Sequence, residues 1–252
     1  RFKNEDRVTG IWQEKTFAMK TAFGSQQVPL TLVKVIVIRS ATPKAGALLH
    51  FTFDTDEGSL VRDSSGKENH GTVTGAKYTS AGKAGGAYQV GKNLGHLQVA
   101  NPETWAFGQR PFSICFWFQM SAPPGGEQML IAQDEGGGEH NKWAFELCNG
   151  NVDFHIHSPG SADYRIASHP WVPEGGRWYH LAVTRNGSTY SIYVDGACIS
   201  TDQNTLPIPV ANASLTIGQG EGLYVEGTID DVMIFDRALS QEDVRDIYNA
   251  AL

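Results

Sequence analysis

The 252-residue sequence predicts an all-β sandwich, on three observations. Short apolar runs recur between clusters of Gly, Pro, Asn and Asp, the pattern of strands joined by tight turns. The 28 glycines supply residues for those turns. Finally, Phe112-Ser113-Ile114-Cys115-Phe116-Trp117-Phe118 alternates strictly. Phe112, Ile114, Phe116 and Phe118 share one face and Ser113, Cys115 and Trp117 the other, which is the period of a strand.

The first 43 residues read as a β-extension, or as the end of a preceding domain, with β-leaning runs at Val8 to Trp12, Phe17 to Thr21 and Val28 to Ile38. They break at Phe23-Gly24-Ser25, and Leu32 to Ile38 is apolar enough to be buried on both faces. So short a segment cannot bury a core alone. Ser40 to Gly46 reads as a linker, and a single main domain is expected over residues 44 to 252.

Within that domain, Leu48 to Phe53 is a strand ending at Asp54, and Asp63 to Thr72 is a polar turn. Gly82 to Gly86 leads into a strand at Tyr88, and Leu97 to Ala100 is a further short strand. Phe112 to Phe118, apolar on both faces, reads as a central strand. Ser121 to Asn141 is a Pro- and Gly-rich insertion around a strand at Met129 to Gln133. Ala144 to Leu147, Val152 to His157 and Tyr164 to Ile166 form a meander, and Trp178 to Thr184 with Ser188 to Val194 a hairpin turning at Asn186-Gly187. Leu215 to Gly218 and Thr228 to Phe235 complete the strands. Ser240 as N-cap with Asp243 three residues on starts one short helix, whose stripe is Val244, Ile247, Tyr248 and Ala251.

A net charge of −7 argues against nucleic acid or an anionic membrane as partner. No apolar run is long enough to insert in a bilayer. Arg1 is not an initiator Met and no signal peptide precedes the domain, so the chain reads as a piece of a longer protein. Cys115, Cys148 and Cys198 fit no metal or redox spacing and read as small buried hydrophobes.

Five segments in order carry a family resemblance: Phe53-Asp54, the DSSGKENHGT turn, GKAGGAY, FSICFWF, and the tail WYHLAV…IYVDG…IDDVMIFDRALS. From residues 47 to 249 the chain resembles the laminin-G-like, concanavalin-A-like jelly roll. The resemblance implies a sandwich closed by a short C-terminal helix, an exported, periplasmic or cell-surface location, and a role in binding more often than in catalysis. It also implies a structural calcium ion held by Asp54, the Asn69 region and Asp230. The residues themselves are compatible with that ion, since hard oxygen donors with few cations nearby suit calcium. Strict alternation puts Asp230 on the core face with Val232 and Ile234, where a carboxylate needs a partner. Capping of backbone N–H groups by Asp230 and Asp54 is the alternative.

On such a fold, sugars bind the concave sheet face or the loops at one edge. The meander from Trp143 to Trp171 is the expected face, with Trp143, Tyr164 and Trp171 as stacking aromatics and Glu146, Asp153, His155, His157 and Arg165 as polar contacts. His155 and His157 also face one way, as half of a zinc or copper site would. The sequence holds no nucleophile elbow, zinc-protease helix or phosphate loop. It also lacks the paired carboxylates that glycosidases of this fold carry on one strand. The expected function is non-catalytic recognition of a glycan or polysaccharide. A protein-adhesion or spacer module is the alternative, and a glycoside hydrolase stands third.

Overall fold

A computed structural model describes residues 16–21, 24–29, 46–121, 125–160 and 164–251. The chain divides into two compact units, Arg1–Thr42 and Pro43–Leu252. In the first, β1 (Thr16–Thr21) and β2 (Gly24–Pro29) pair as an antiparallel hairpin. The expected strands at Val8 to Trp12 and Leu32 to Ile38 lie outside the described residues.

In the second unit the early strands are β3 (Ala47–Phe51), β4 (Leu60–Val61), β5 (Gly71–Thr74), β6 (Lys77–Thr79), β7 (Ala87–Val90) and β8 (His96–Val99). A one-turn helix, α1 (Pro102–Trp105), precedes β9 (Phe112–Met120), β10 (Glu127–Asp134), β11 (Lys142–Cys148), β12 (Asn151–His157) and β13 (Tyr164–Pro170). Then come β14 (Trp178–Asn186), β15 (Thr189–Val194), β16 (Ala197–Gln203), β17 (Leu215–Ile217), β18 (Gln219–Gly220), β19 (Leu223–Tyr224), β20 (Gly227–Phe235) and α2 (Gln241–Ala250). Two sheets result. One runs β13-β12-β11-β10-β17-β8-β5-β4, with β19 joined to β10 and β18. The other runs β16-β15-β14-β9-β20-β7-β6, with β3 on the second half of β20.

The inner faces meet in an aromatic core. Phe112 lies 5.3 Å from Phe154 and Phe116 5.8 Å from Phe145, ring centroid to ring centroid. The outer face of β9 is apolar as expected, because α2 covers it: Cys115, Met233 and Phe235 pack with Val244 and Ile247. Tyr248 stacks on Trp117 at 5.4 Å. The helix starts as the sequence predicts. Ser240 Oγ accepts from Asp243 N at 3.1 Å, and Asp243 Oδ2 accepts from Ser240 N at 3.0 Å.

Two-residue turns set the registers. The β14–β15 loop is Gly187-Ser188, one residue later than expected, with positive φ at Gly187 as a type II′ turn requires. Asn149-Gly150 has positive φ at both residues, a type I′ turn that joins β11 to β12.

The alternation of β20 is broken. Asp230 pairs with Trp117 and Met233 with Cys115, so three steps on β20 match two on β9. Asp231 takes the extra place at φ 47°, a β-bulge. Ile229, Val232 and Ile234 therefore all enter the inner core, whereas Asp230 shares the side of Trp117. This corrects the expected core-side position of Asp230, which rested on unbroken alternation.

Candidate functional site

The meander β11–β12–β13 carries two faces of different chemistry. Trp143, Phe145 and Leu147 on β11, with Val152, Phe154 and Ile156 on β12, point into the core. Glu146 and Cys148, with Asp153, His155 and His157, stand on the outer face. The Asn149-Gly150 turn fixes Glu146 directly opposite Asp153. Like charges so placed repel, and both residues are at most 1% exposed.

Arg165 offsets that repulsion. Its Nε lies 3.2 Å from Glu146 Oε1 and 3.4 Å from Asp153 Oδ2. Its Nη2 lies 3.0 Å from Glu127 Oε1 and donates to Cys148 Sγ at 3.3 Å. Glu127 reaches the cluster because β10 pairs it with Cys148. His155 Nδ1 is 3.6 Å from Glu146 Oε2, and His157 Nε2 is 3.9 Å from Glu139 Oε2. At the far end of β11, Lys142 pairs with Glu221.

The charges respond to this crowding. Burial, and then Glu146, push the Glu127 carboxyl above its usual range, partly offset by Arg165. Burial raises Asp153 as well, with Ser168, its partner across the strands, and the charge of Arg165 opposing it. Burial also pushes up the Cys148 thiol. Glu127, Glu146 and Cys148 are close enough together to hold an ion. However, Arg165 already supplies the cation among them, so this donor set does not fit a metal.

The structure brings Glu146, Asp153, His155, His157 and Arg165 onto one face of the meander, as expected. Trp143 is a correction. It is fully buried, its Nε1 donates to Trp105 O at 3.0 Å and Gln133 Oε1 at 3.1 Å, and it stacks on Phe154. An odd-numbered place on β11 points inward when Glu146 points outward, so Trp143 cannot stack on a ligand there. Trp171 is half-buried and packs edge-on against core residue Tyr179 at 5.0 Å, which occupies its ring at the sandwich margin. The side chain of Tyr164 is not among those described. Glu127, Cys148 and Ser168 join the site unforeseen. The parity of Cys148 with Glu146 was visible in the sequence, but Glu127 depended on a non-local register.

The three oxygen donors expected to hold calcium do not converge. Asp54 and Asp230 flank the same loop, Gly82 to Gly86, with Asp54 Oδ1 against Gly85 and Asp230 Oδ2 against Gly82. Asn69 is elsewhere: its Nδ2 donates to Leu48 O at 2.9 Å and its N–H to Asp63 Oδ2 at 3.0 Å. Leu48 is six residues before Asp54, about 20 Å along the chain at ~3.3 Å per residue. Asn69 is thus corrected out of the set, because Asp63 rather than a cation organises its turn. Asp230 Oδ2 accepts from Ala84 N at 2.9 Å and Oδ1 from Asp231 N at 2.7 Å, with the Lys83 N–H a third donor. Its carboxylate has partners without an ion.

With this geometry in place, comparison with known proteins is informative. Residues 91–245 match the family model Laminin_G_3, described as the concanavalin A-like lectin/glucanases superfamily. The chain belongs to that superfamily. By its description this superfamily takes in both lectins and enzymes. Among solved structures the concanavalin A-like fold of the chain is similar to domain 4 of AbnA, an extracellular arabinanase from Geobacillus stearothermophilus, in complex with arabinotriose. That match has 21% identity and a TM-score of 0.66, and covers 81% of this chain and 98% of that domain. The binding domain of botulinum neurotoxin DC, in complex with rat synaptotagmin II, is 16% identical with a TM-score of 0.65 over 84% of this chain. The binding domain of Paraclostridial Mosquitocidal Protein 1 is 17% identical with a TM-score of 0.63 over 82%. The chain spans about half of those two toxin domains, 53% and 52%. Comparison with curated protein sequences finds no match. At these identities the solved structures speak for the fold alone. Among the described residues no helix is long and apolar enough to cross a membrane.

Proposed function

We propose that this domain is a non-catalytic carbohydrate-binding module of an exported or surface protein, and that it reads sugar hydroxyls with the cluster around Arg165. One observation carries the reading. Two acidic side chains face each other on a sheet surface, at a cost to stability, and an arginine from the next strand is spread across them. Folds retain such local conflicts mostly at sites of use. Arg165 and Glu127, each about one-third exposed, are the accessible end of the cluster. Planar donors and acceptors of this kind match paired sugar hydroxyls. The arabinotriose held by the similar arabinanase domain supports the class of ligand, and arabino-oligosaccharides are the first to try.

The large exposed hydrophobics among the described residues are Leu94, Val172, Leu206 and Val210, spread over three segments. That favours a polar ligand over an apolar protein contact. A structural calcium between Asp54 and Asp230 belongs to this proposal as a separate element, tested by whether added calcium raises the melting temperature and chelator lowers it.

Isothermal titration with arabino-, gluco- and galacto-oligosaccharides tests the sugar site. Glu127→Gln and Arg165→Lys are expected to weaken binding by about tenfold or more, the loss of roughly one charge-assisted hydrogen bond. Arg165→Ala is a poorer probe, since stranding Glu146 and Asp153 costs about 3 kcal/mol of stability or more. Failure of every oligosaccharide to bind, or equal binding by wild type and Glu127→Gln, would sink the proposal.

A further inference from the structure

We propose that a cleft beside the end of β3 is a second binding site, built to take a single neutral sugar ring. It shares no residue with the Arg165 cluster. Its volume is about 260 Å³, just below the range of roughly 300–1,000 Å³ for drug-sized ligands, and so suited to one ring.

The walls combine the three things a pyranose or furanose needs. Asp54 and Glu57 offer carboxylate acceptors for hydroxyl protons. Thr52, Thr55 and Ser64 offer hydroxyls that can both give and take. Phe53 and Val61 provide apolar surface for the C–H faces. Arg62 is locked to Glu57 by two bonds, Nε at 2.7 Å and Nη2 at 2.5 Å, which leaves the carboxylate of Asp54 uncompensated in the lining. An anionic ligand is therefore disfavoured, and the hydroxyl donors in the wall favour a polyol over a simple cation.

Two observations indicate that the cleft is built and not incidental. Tyr88 lines it and is 2% exposed, yet its hydroxyl has no hydrogen-bond partner among the described residues. A buried hydroxyl left so forfeits about 1–3 kcal/mol. The ring cannot turn away, because Phe53 and Tyr78 clamp it edge-on at 5.1 and 5.7 Å. Burial and the nearby carboxylates of Asp56 and Glu57 push its ionisation upward, which keeps the proton in place to be donated. The second observation is backbone strain. Phe53 has φ 55°, a left-handed conformation that an aromatic residue adopts at a cost of about 1–3 kcal/mol. That turn ends β3 and carries Thr52, Phe53 and Asp54 into the lining together.

The test is a ¹H–¹⁵N titration of the whole chain, in chelator, with methyl β-D-glucopyranoside, methyl β-D-galactopyranoside and methyl α-L-arabinofuranoside in turn. At least one glycoside is expected to shift the amides of Phe53, Asp54, Glu57 and Tyr88, with Kd of about 1 mM. Tyr88→Phe, which removes only the hydroxyl, and Ser64→Ala should each weaken that binding by about tenfold. Arg165→Lys should leave it unchanged, so this site and the Arg165 site stand or fall separately. No shift with any of the three glycosides overturns the proposal, as does undiminished binding by Tyr88→Phe. A shift of the Glu57 and Tyr88 amides by calcium chloride alone, beyond the Asp54–Asp230 pair, would also overturn it, in favour of a cation site in the cleft.

Discussion

Asp230 shows how a single carboxylate ties folding to pH. It is fully buried, and burial, opposed by the N–H donors of Ala84, Asp231 and Lys83, pushes its ionisation up from 3.8 to about 6. A carboxyl whose folded value is raised is penalised when charged. The penalty is present above pH 6, shrinks as pH falls through 6, and is gone below about 4, where both folded and unfolded states are protonated. Two pH units correspond to about 2–3 kcal/mol. Urea melts should therefore show Asp230→Asn losing the part of the stability gain that wild type makes between pH 7.5 and pH 4.5. Parallel pH profiles for the two proteins would refute this account. Calcium bound at Asp230 would reverse the sign, stabilising the charged form and moving the gain to higher pH.

At the scale of elements, helix α2 is held by its first turn and by the sheet it covers. The reciprocal bonds between Ser240 and Asp243 satisfy two N–H groups that the helix start would otherwise leave open. Ser240→Ala is expected to cost about 1 kcal/mol in denaturant unfolding, and Ser240→Asp to restore most of it. The start of α2 was legible because its signals are local, as were β9, β14 and β15. The faces of β11 and β12 were legible too, and parity alone separates Trp143 from Glu146. What stayed hidden depended on distant pairing. The Glu127 position needs the β10–β11 register, which an irregularity between Met129 and Ile131 shifts by one residue. The side of Asp230 needs the bulge at Asp231, and a bulge shows itself only against a partner strand. Strand β16 was missed because its burial is mixed along its length and gives no clean alternation.

Across the whole molecule, the Arg165 site lies at one edge of a sheet. The cleft, which draws also on the end of β3 and on β7 of the other sheet, meets the first sheet at its opposite edge. Arg165 is on β13 and Val61 of the cleft on β4, the two ends of the strand order. Seven steps separate those strands, about 34 Å along the sheet at ~4.8 Å a step. A polysaccharide chain long enough to bridge them would engage both at once, and linked weak sites multiply in affinity. Polymer retention on an affinity gel should then drop by more than tenfold in either Glu127→Gln or Tyr88→Phe, while a short oligosaccharide should respond only to the variant at its own site. Equal loss for polymer and oligosaccharide would argue that each site works alone. The acidic balance of the chain, −7 overall, further favours neutral polymers over uronic-acid-rich ones.

The bulge in β20 also bears on how such a strand can change over generations. Ile229 before Asp231 and Val232 and Ile234 after it all face inward, so loss of Asp231 alone would restore regular alternation and leave Ile229 inward and Asp230 outward. Substitutions can accumulate along β20 one at a time. A one-residue loss elsewhere in the strand, with the bulge kept, is viable only if the polar and apolar positions on one side of it are exchanged in the same event. Among descendants of this domain, a gap at Asp231 should therefore be found with the polarity pattern from 227 to 230 unchanged.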